Sequence, residues 1–239
     1  MDVHKPKPAH NWREFLSEIG TIVCGILIAL GLEQAVEAAH WSEKVTEAKE
    51  AIHRELVQAT VFGEERIHQR QCRDTYLADL TTAVAASPAQ WTPRPALYCG
   101  TPHDGVYSGL ERPWPTEFWR SIVAEGTVSH FDDRYRRRAP FVFSFIEFIN
   151  NRALEETQEA YNLGALGYEI NITPDAKIRL LNTLKKLRAQ NALVALLCEQ
   201  LTGSIGGLGE TPSEDELEQA RGNTPYYRGG LPMKQTARP

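Results

Sequence analysis

The chain has no excess of positive charge, no internal repeat and little that indicates β-structure. Its 26 Lys and Arg residues are outnumbered by 31 Asp and Glu residues, and the net charge of −5 gives no reason to expect a nucleic-acid partner. The best strand candidate is the short run from Tyr168 to Ile172. With 239 residues, 42% of them apolar, the chain can form one hydrophobic core or two small lobes. The sequence therefore predicts an all-α protein.

Groupings of nucleophiles and bases are also missing. Neither Cys198 nor Ser204 has a His and an acidic residue at a spacing that indicates a catalytic nucleophile with its base. The glycine-rich run at residues 203–209 has neither a preceding strand nor a following Lys-Ser or Lys-Thr, which argues against a phosphate-binding loop. We therefore expect a protein that is not an enzyme and that carries no cofactor.

One set of potential metal ligands lies on a single helical face. Glu64, His68 and Cys72 follow at intervals of four, and Glu65-x-x-His68 has the spacing used by di-iron bundles. Such bundles need two copies of that motif and two further glutamates, and the glutamates near His53 do not have the spacing. A solvated helix face explains these residues better, so no metal site is predicted.

Residues 15–39 are the most informative segment, because they predict a single membrane-spanning helix. The uncharged core at residues 19–32 has only fourteen residues, a length more typical of a buried core helix. The full segment has 25 residues, however, which is enough to cross about 30 Å of hydrocarbon. Trp12 and Trp41 bracket it, 29 residues apart, and tryptophan favours the membrane interface. The ionisable residues Glu18 and Glu33 lie near the two ends of the segment.

The flanking charges predict the orientation of this span. Lys5, Lys7 and Arg13 precede it, whereas acidic residues outnumber basic ones immediately after it. Because Lys and Arg mark the cytoplasmic side, residues 1–14 are expected in the cytoplasm and the C-terminal domain in the periplasm. A cleaved signal peptide is the alternative, but the apolar run begins late and has no clear small-residue cleavage site. We expect an uncleaved signal-anchor in the inner (plasma) membrane.

One row of the span consists of small residues. Thr21, Gly25 and Ala29 follow at intervals of four, and Glu33 continues the row. Small residues let two membrane helices approach closely, so the row predicts association with a second copy or with a partner membrane helix. The alternative is a row without a partner. Glu18 is a candidate functional residue because it is ionisable within a span; the alternative is that it snorkels to the headgroups or stays protonated.

The same segment carries a family-like motif. Residues 18–20 are Glu-Ile-Gly, Ile22 and residues 25–30 follow, and Trp41 and Glu43 come after them. This pattern resembles the opening of a group of uncharacterised bacterial membrane proteins, in which E-I-G-x-I-x-x-G-I-L-I-A-L precedes W-x-E. A weaker similarity lies between Trp119 and Tyr135. The resemblance implies a single span followed by a helical extracytoplasmic region, and it implies no activity.

The chain beyond the span predicts a helical bundle. Apolar residues spaced by three and four predict a long helix over residues 40–86, as a stalk and as the first helix of the bundle. Residues 87–114 are rich in proline and aromatic residues and predict a long crossover loop. Residues 115–221 are expected to complete the bundle, and residues 222–239 to form an irregular tail.

Local signals predict the ends of the later helices. A short helix is expected over residues 115–126, and a longer one from Asp132 or Asp133 to about residue 165, with Pro140 in its early turns. Thr173-Pro174 is a start signal for a helix that is expected to stop at Gly203. Ser213-x-x-Glu216 is a capping box for a last helix to about residue 221.

The four cysteines leave one pairing open. Cys24 lies in the span, and Cys72 and Cys99 flank the same long loop. These two cysteines are able to pair in an oxidising periplasm. The alternative is that Cys72, Cys99 and Cys198 are three free thiols.

Two functional hypotheses remain. The first is a non-catalytic scaffold or accessory module that associates through its span in the lipid bilayer. The alternative is a periplasmic ligand-binding or sensor domain with a pocket under the 87–115 loop, lined by Tyr107, Trp114 and Trp119. The arginines at residues 134–138 would then be anion ligands, although a solvated face opposite the acids of the first helix also explains them.

Overall fold

The computed structural model describes residues 12–94, 97–98, 101–102, 106–107 and 113–224, and it confirms the all-α prediction. The α-helices are α1 (Trp12–Ala86), α2 (Glu117–Ala124), α3 (Asp133–Ala160), α4 (Pro174–Leu208) and α5 (Glu214–Asn223). Thr127–His130 and Tyr161–Gly167 are 3₁₀-helices. The chain divides into two compact units between Glu47 and Ala48.

The strands of the described residues are short. They are β1 (Gln90–Trp91), β2 (Leu97–Tyr98), β3 (Thr101–Pro102) and β4 (Ile170–Asn171). β1 pairs antiparallel with β4, and β2 with β3. The predicted strand at residues 168–172 therefore exists as β4, and its partner is the start of the crossover loop.

The second unit is built around a core of aliphatic side chains. α3 packs against α4, and the C-terminal part of α1 contributes Leu77 and Val84 to the same buried cluster as Leu163 and Leu184. A smaller cluster joins Val57 and Val61 of α1 to Leu217 of α5. Burial at about 25 cal/mol per Å² of apolar surface is the main force that holds these helices together.

The predicted starts of α3, α4 and α5 are confirmed by their caps, whereas α2 begins at Glu117 and not at residue 115. The Asp132 carboxylate accepts the backbone N–H of Tyr135 at 2.9 Å, and the Thr173 hydroxyl accepts that of Ala176 at 3.3 Å. Ser213 and Glu216 form the complete capping box. Each contact satisfies a free N–H group of the first turn, so a signal in the local sequence marks where these helices begin.

Several predicted ends were wrong. α4 does not stop at Gly203 but continues to Leu208, because Ile205 and Leu208 are buried in the core. Gly209, with φ of +94°, ends the helix in the left-handed conformation that glycine tolerates. α3 ends at Ala160 and continues as the 3₁₀-helix Tyr161–Gly167, so the predicted end near residue 165 merges two elements.

The cysteines take two states. Cys72 is disulfide-bonded, whereas Cys24 and Cys198 are free thiols. Cys99, the predicted partner of Cys72, lies outside the described residues, as do residues 1–11 and 225–239. α1 ends at Ala86, the residue where the sequence predicts it to end.

Candidate functional site

The apolar segment at residues 15–39 exposes its side chains along its length. Ile22, Leu27 and Ile28 are each more than 60% exposed, and Glu18 and Glu33 are also exposed. Among the described residues, α1 is the one helix long and apolar enough to cross a membrane, and no residue of its most apolar window is buried. An exposed apolar surface of this extent marks a surface that contacts lipid or another apolar partner.

The tryptophans at the two ends of this segment have different surroundings. Trp12 is 70% exposed. Trp41 is half-buried; the ring of His40 meets it edge-on at 5.8 Å, and Lys44 Nζ lies 5.5 Å from its ring centroid. A lysine over an indole face is a favourable arrangement where an aromatic ring lies beside a polar boundary.

The small-residue row is open along the helix. The Thr21 hydroxyl donates to the Ser17 carbonyl at 2.9 Å, so its polar group is satisfied within the helix. A Cβ added to Gly25 would meet no heavy atom within 4 Å, and Ala29 is exposed. The face that would contact a second helix therefore has no occupant from the described part of this chain.

Tyr107, a predicted pocket residue, belongs instead to a buried polar cluster centred on Glu156. We call it the Glu156 cluster; its members are Arg66, Gln69, Arg73, Tyr107 and Glu156. The Glu156 carboxylate accepts hydrogen bonds from the Arg66 guanidinium and the Tyr107 hydroxyl, and Arg73 Nη1 lies 3.7 Å from its Oε1. Arg73 Nε also donates to Gln69 Oε1 at 2.9 Å. The cluster joins α1, α3 and the crossover loop.

The burial of this cluster determines its chemistry. Arg66, Arg73 and Glu156 are at most 2% exposed. Burial, followed by the charge of Glu156, raises the pKa of Tyr107 to about 12, so its phenol stays protonated and donates. A buried ion is costly to desolvate unless its partner and its hydrogen bonds compensate. The cluster is thus a closed ionic contact that fixes Tyr107 in the core.

The other two predicted pocket residues are also core residues. The Trp114 ring meets Phe62 edge-on at a centroid distance of 5.9 Å, and Trp119 stacks on Phe143 at 4.8 Å. Both tryptophans are more than 90% buried. Tyr107, Trp114 and Trp119 therefore pack against three different sets of neighbours and hold the loop and α2 onto the helices.

Glu55 of α1 caps the start of α2 from a distant part of the chain. Thr116, at the N-cap position, makes no side-chain cap. The Glu55 carboxylate accepts the backbone N–H of Phe118 at 2.8 Å and that of Trp119 at 3.1 Å. Burial raises the pKa of Glu55, although these two N–H groups oppose that shift. One side chain thereby satisfies two orphan donors of a helix 63 residues away.

His53 lies between two carboxylates. Its Nδ1 is 2.8 Å from Glu210 Oε2, and its Nε2 is 2.9 Å from Glu216 Oε1. Burial lowers the pKa of His53, but the hydrogen bonds and charges of the two glutamates outweigh this effect, and the pKa is raised above 6.5. A protonated imidazole donates from both nitrogens, so the arrangement favours the charged form. It connects α1 to the α4–α5 loop and to α5.

The arginines at residues 134–138 have local partners. Arg136 and Arg137 both bind Asp133, one turn away. Arg134 and Arg138 both donate to the carbonyl oxygen of Gly207, near the C-terminal end of α4. The sequence suggested that these arginines face the acids of the first helix, but their observed partners lie on α3 and α4. A Cβ on Gly207 would lie 3.3 Å from Arg138 Nη1, so this glycine leaves room for the guanidinium.

A cleft of about 850 Å³ lies between the N-terminal half of α4 and the segment at residues 159–172. We call it the α4 cleft. Its lining residues are Glu159, Asn162, Ala165, Ile170, Asn171, Ile172, Ala176, Arg179, Leu180, Asn182, Thr183, Lys185, Lys186 and Ala189. None of the three predicted pocket residues lines it. In the described part of the crossover loop, β1 lies beside the cleft, because it pairs with β4.

The candidate nucleophiles and metal ligands have structural roles. Burial raises the pKa of the Cys198 thiol to about 12, so it carries no thiolate near neutral pH. The Ser204 hydroxyl donates to the Gln200 carbonyl at 3.0 Å. Glu64 binds Arg221 at 2.9 and 3.0 Å, and Cys72 is in a disulfide. Within the described ranges no group of three His, Cys, Asp or Glu side chains is placed to hold a metal ion.

Sequence reasoning missed the Glu156 cluster, although a signal for it exists. Glu156 falls on the apolar stripe of α3, with Ile149 before it and Ala160 after it. Arg66 and Arg73 fall on the apolar stripe of α1. A charged residue at a core position of a helix indicates a buried partner of opposite charge.

The sites described above consist of buried polar contacts and two open features. Polar side chains at the centre of the second unit bind one another, and the open features are an apolar helix face and a cleft with basic residues. Comparison with known protein families, with curated proteins and with solved structures gives no match.

Proposed function

We propose that this protein is a non-catalytic, membrane-anchored scaffold or accessory module that associates through its single span. In this proposal residues 15–39 cross the inner membrane, the N-terminus lies in the cytoplasm and the helical body lies in the periplasm. The resemblance to single-span bacterial membrane proteins fits the same arrangement.

One observation carries the proposal: the apolar side chains of residues 15–39 are exposed. A core helix of a soluble protein with this composition would bury Ile22, Leu27 and Ile28, which are all more than 60% exposed. A hydrocarbon environment removes the cost of that exposure without a protein partner. The tryptophans at the two ends and the basic residues before the segment support the same topology.

The disulfide at Cys72 supports an extracytoplasmic body independently. Disulfides persist in oxidising compartments such as the bacterial periplasm and are rare in the cytosol. Cys72 lies in the second unit, well beyond the predicted span. A cytoplasmic N-terminus and a periplasmic Cys72 require one crossing between them, and residues 15–39 supply it.

The open row at Thr21, Gly25 and Ala29 supports association through the span. Because a Cβ on Gly25 meets no heavy atom of the described residues within 4 Å, a large side chain there is expected to act on a neighbouring helix. The partner is either a second copy of this chain or another membrane helix with small residues at the contact.

Two measurements test this proposal. Alkaline phosphatase fused to the C-terminus should be active, and a green fluorescent protein fusion at the same site should not fluoresce; the reverse pattern would refute the periplasmic body. Energy transfer between labelled full-length chains in lipid vesicles measures self-association. Gly25→Ile should weaken it at least about tenfold.

Gly31→Ile is the matched control for the association experiment. It introduces the same side chain within the span but off the row, and a Cβ on Gly31 also meets nothing within 4 Å. Association should be unchanged in this variant. Equal energy transfer for Gly25→Ile and the unmodified chain would exclude self-association through this row.

A further inference from the structure

The floor of the α4 cleft is apolar. Ile172 and Leu180 are buried at its base, and Ala176 and Ile170 are partly buried beside them. A volume of about 850 Å³ lies within the range of about 300–1,000 Å³ that is typical of small-molecule sites. The cleft is thus large enough for a small organic molecule, and its base suits an apolar group.

The charges on its wall are not balanced. Among the described residues that line the cleft, Glu159 is the single acidic residue. Its carboxylate already binds Thr183 at 2.9 Å and Lys186 at 3.6 Å. Arg179 and Lys185 make no ion pair within the described part of the chain. By contrast, Arg188 on the same helix binds Asp74 with both guanidinium arms, at 2.9 and 3.1 Å.

Three amide side chains complete the wall. Asn162, Asn171 and Asn182 line the cleft and are exposed to it, and the described residues provide no hydrogen-bond partner for their side chains. Each amide offers one acceptor and two donors. Polar groups that converge over an apolar floor, beside two unpaired cations, are typical of a site for an organic anion.

We propose that the α4 cleft binds a small organic oxyanion, a carboxylate or phosphate joined to a compact apolar group. Arg179 and Lys185 bind the oxyanion, the floor at Ile172 and Leu180 contacts the apolar group, and the asparagines hydrogen-bond to its polar substituents. The arginine fork matches the geometry of both oxyanions. This site does not depend on the function proposed above, because membrane topology and association have separate tests.

Calorimetric titration of the full-length protein in lipid nanodiscs tests the site, with empty nanodiscs as the blank. The probes are phenyl phosphate, inorganic phosphate and phenol. Phenyl phosphate should bind with a Kd of roughly 0.1–1 mM, a value expected for a ligand of its size. Inorganic phosphate and phenol should each bind at least about fivefold more weakly, because each lacks one half of the recognised structure.

Substitutions locate the binding. Arg179→Gln and Lys185→Gln should each weaken phenyl phosphate binding roughly five- to tenfold, and Arg179→Lys should retain most of the affinity. Arg54→Gln removes an exposed cation that has no ion pair among the described residues and does not line the cleft, and it should leave phenyl phosphate binding unchanged. Absence of phenyl phosphate binding, or equal weakening by Arg54→Gln, would overturn the site. Equal affinity for phenyl phosphate and inorganic phosphate would overturn the role of the apolar floor.

Discussion

Two stretches of α1 place opposite kinds of side chain in unfavourable surroundings. Residues 15–39 expose large apolar side chains such as Leu27 and Ile28, whereas the part of the helix after Ala48 buries Arg66 and Arg73 almost completely. Neither arrangement is stable in isolation, since exposed apolar surface and buried charge each cost free energy. Each therefore requires a particular partner. The buried arginines have theirs in Glu156, and the apolar stretch is proposed to have lipid.

The largest effect is expected when the partner of the buried arginines is removed. Glu156→Gln removes the carboxylate that both buried guanidinium groups contact. Removal of one partner from a buried ion pair costs about 3–5 kcal/mol. We expect a loss of that size in the free energy of unfolding, measured by denaturant titration of the full-length protein in micelles.

Glu155→Gln is the matched control for this substitution. Glu155 is the preceding residue, about half exposed, and binds Arg152 at 2.8 Å. An exposed pair contributes at most about 1 kcal/mol. If both variants lose the same free energy of unfolding, the Glu156 cluster contributes no more stability than an exposed ion pair.

The next prediction compares two apolar residues of equal exposure. Ile28 is 64% exposed in the apolar stretch, and Phe141 is 65% exposed on α3. Ile28→Lys should reduce membrane integration, because a lysine at the centre of a span costs about 2.5–3.5 kcal/mol. Phe141→Lys should leave integration unchanged and alter stability by less than about 0.5 kcal/mol.

Extraction of membranes with alkaline carbonate measures this difference. The protein with Ile28→Lys should move substantially into the soluble fraction, whereas the protein with Phe141→Lys should stay in the pellet. Full retention of the Ile28→Lys protein in the pellet would show that residues 15–39 do not depend on a hydrocarbon environment.

The sequence predicted those features that depend on local contacts. Asp132, Thr173 and Ser213 cap their own helices within three residues, so short-range signals were sufficient. The end of α4 was mispredicted at Gly203, because burial of Ile205 and Leu208 and the binding of Arg134 and Arg138 to Gly207 involve distant elements. A glycine costs about 1 kcal/mol in a helix, and tertiary contacts of this kind outweigh it.

The candidate sites were harder to predict for the same reason. Arg66 and Glu156 are 90 residues apart, and Glu55 reaches α2 across 63 residues. Aromatic residues in the loop suggested a pocket, but Trp114 and Trp119 are buried and pack against other side chains. The α4 cleft draws its residues from α3, the 3₁₀-helix that follows it, β4 and α4, and the sequence does not show that these segments meet.

A third prediction concerns Glu55, another buried ionisable residue of α1. Glu55→Ala leaves the N–H groups of Phe118 and Trp119 without their acceptor. Loss of a cap and of a buried acceptor costs about 2 kcal/mol. We expect that loss in unfolding free energy, together with faster hydrogen exchange of the α2 amides. Glu50→Ala, at an exposed position of the same helix, should affect neither; a similar change in both variants would contradict the capping role.

The smallest effect is expected at His53, where α1 is only partly buried. The glutamates raise its pKa above 6.5 despite the opposing effect of burial, so the folded protein holds this proton more tightly than the unfolded chain. The stability that His53 contributes is therefore complete below about pH 6.5 and is lost as the pH rises through the folded-state value. Its size should be at most about 1 kcal/mol, because the contact is partly exposed.

Thermal unfolding between pH 5.5 and pH 9 measures this contribution. The stability difference between the unmodified protein and His53→Gln should be largest at the acidic end and should disappear above the folded-state pKa. His68→Gln, an exposed histidine on the same helix, should show no such trend. A His53→Gln difference that stayed constant, or grew, with rising pH would mean that Glu210 and Glu216 bind a neutral imidazole. In that case the partly buried contact at His53 would not depend on opposite charge. The contrast between residues 15–39 and the later part of α1 would then rest on the Glu156 cluster.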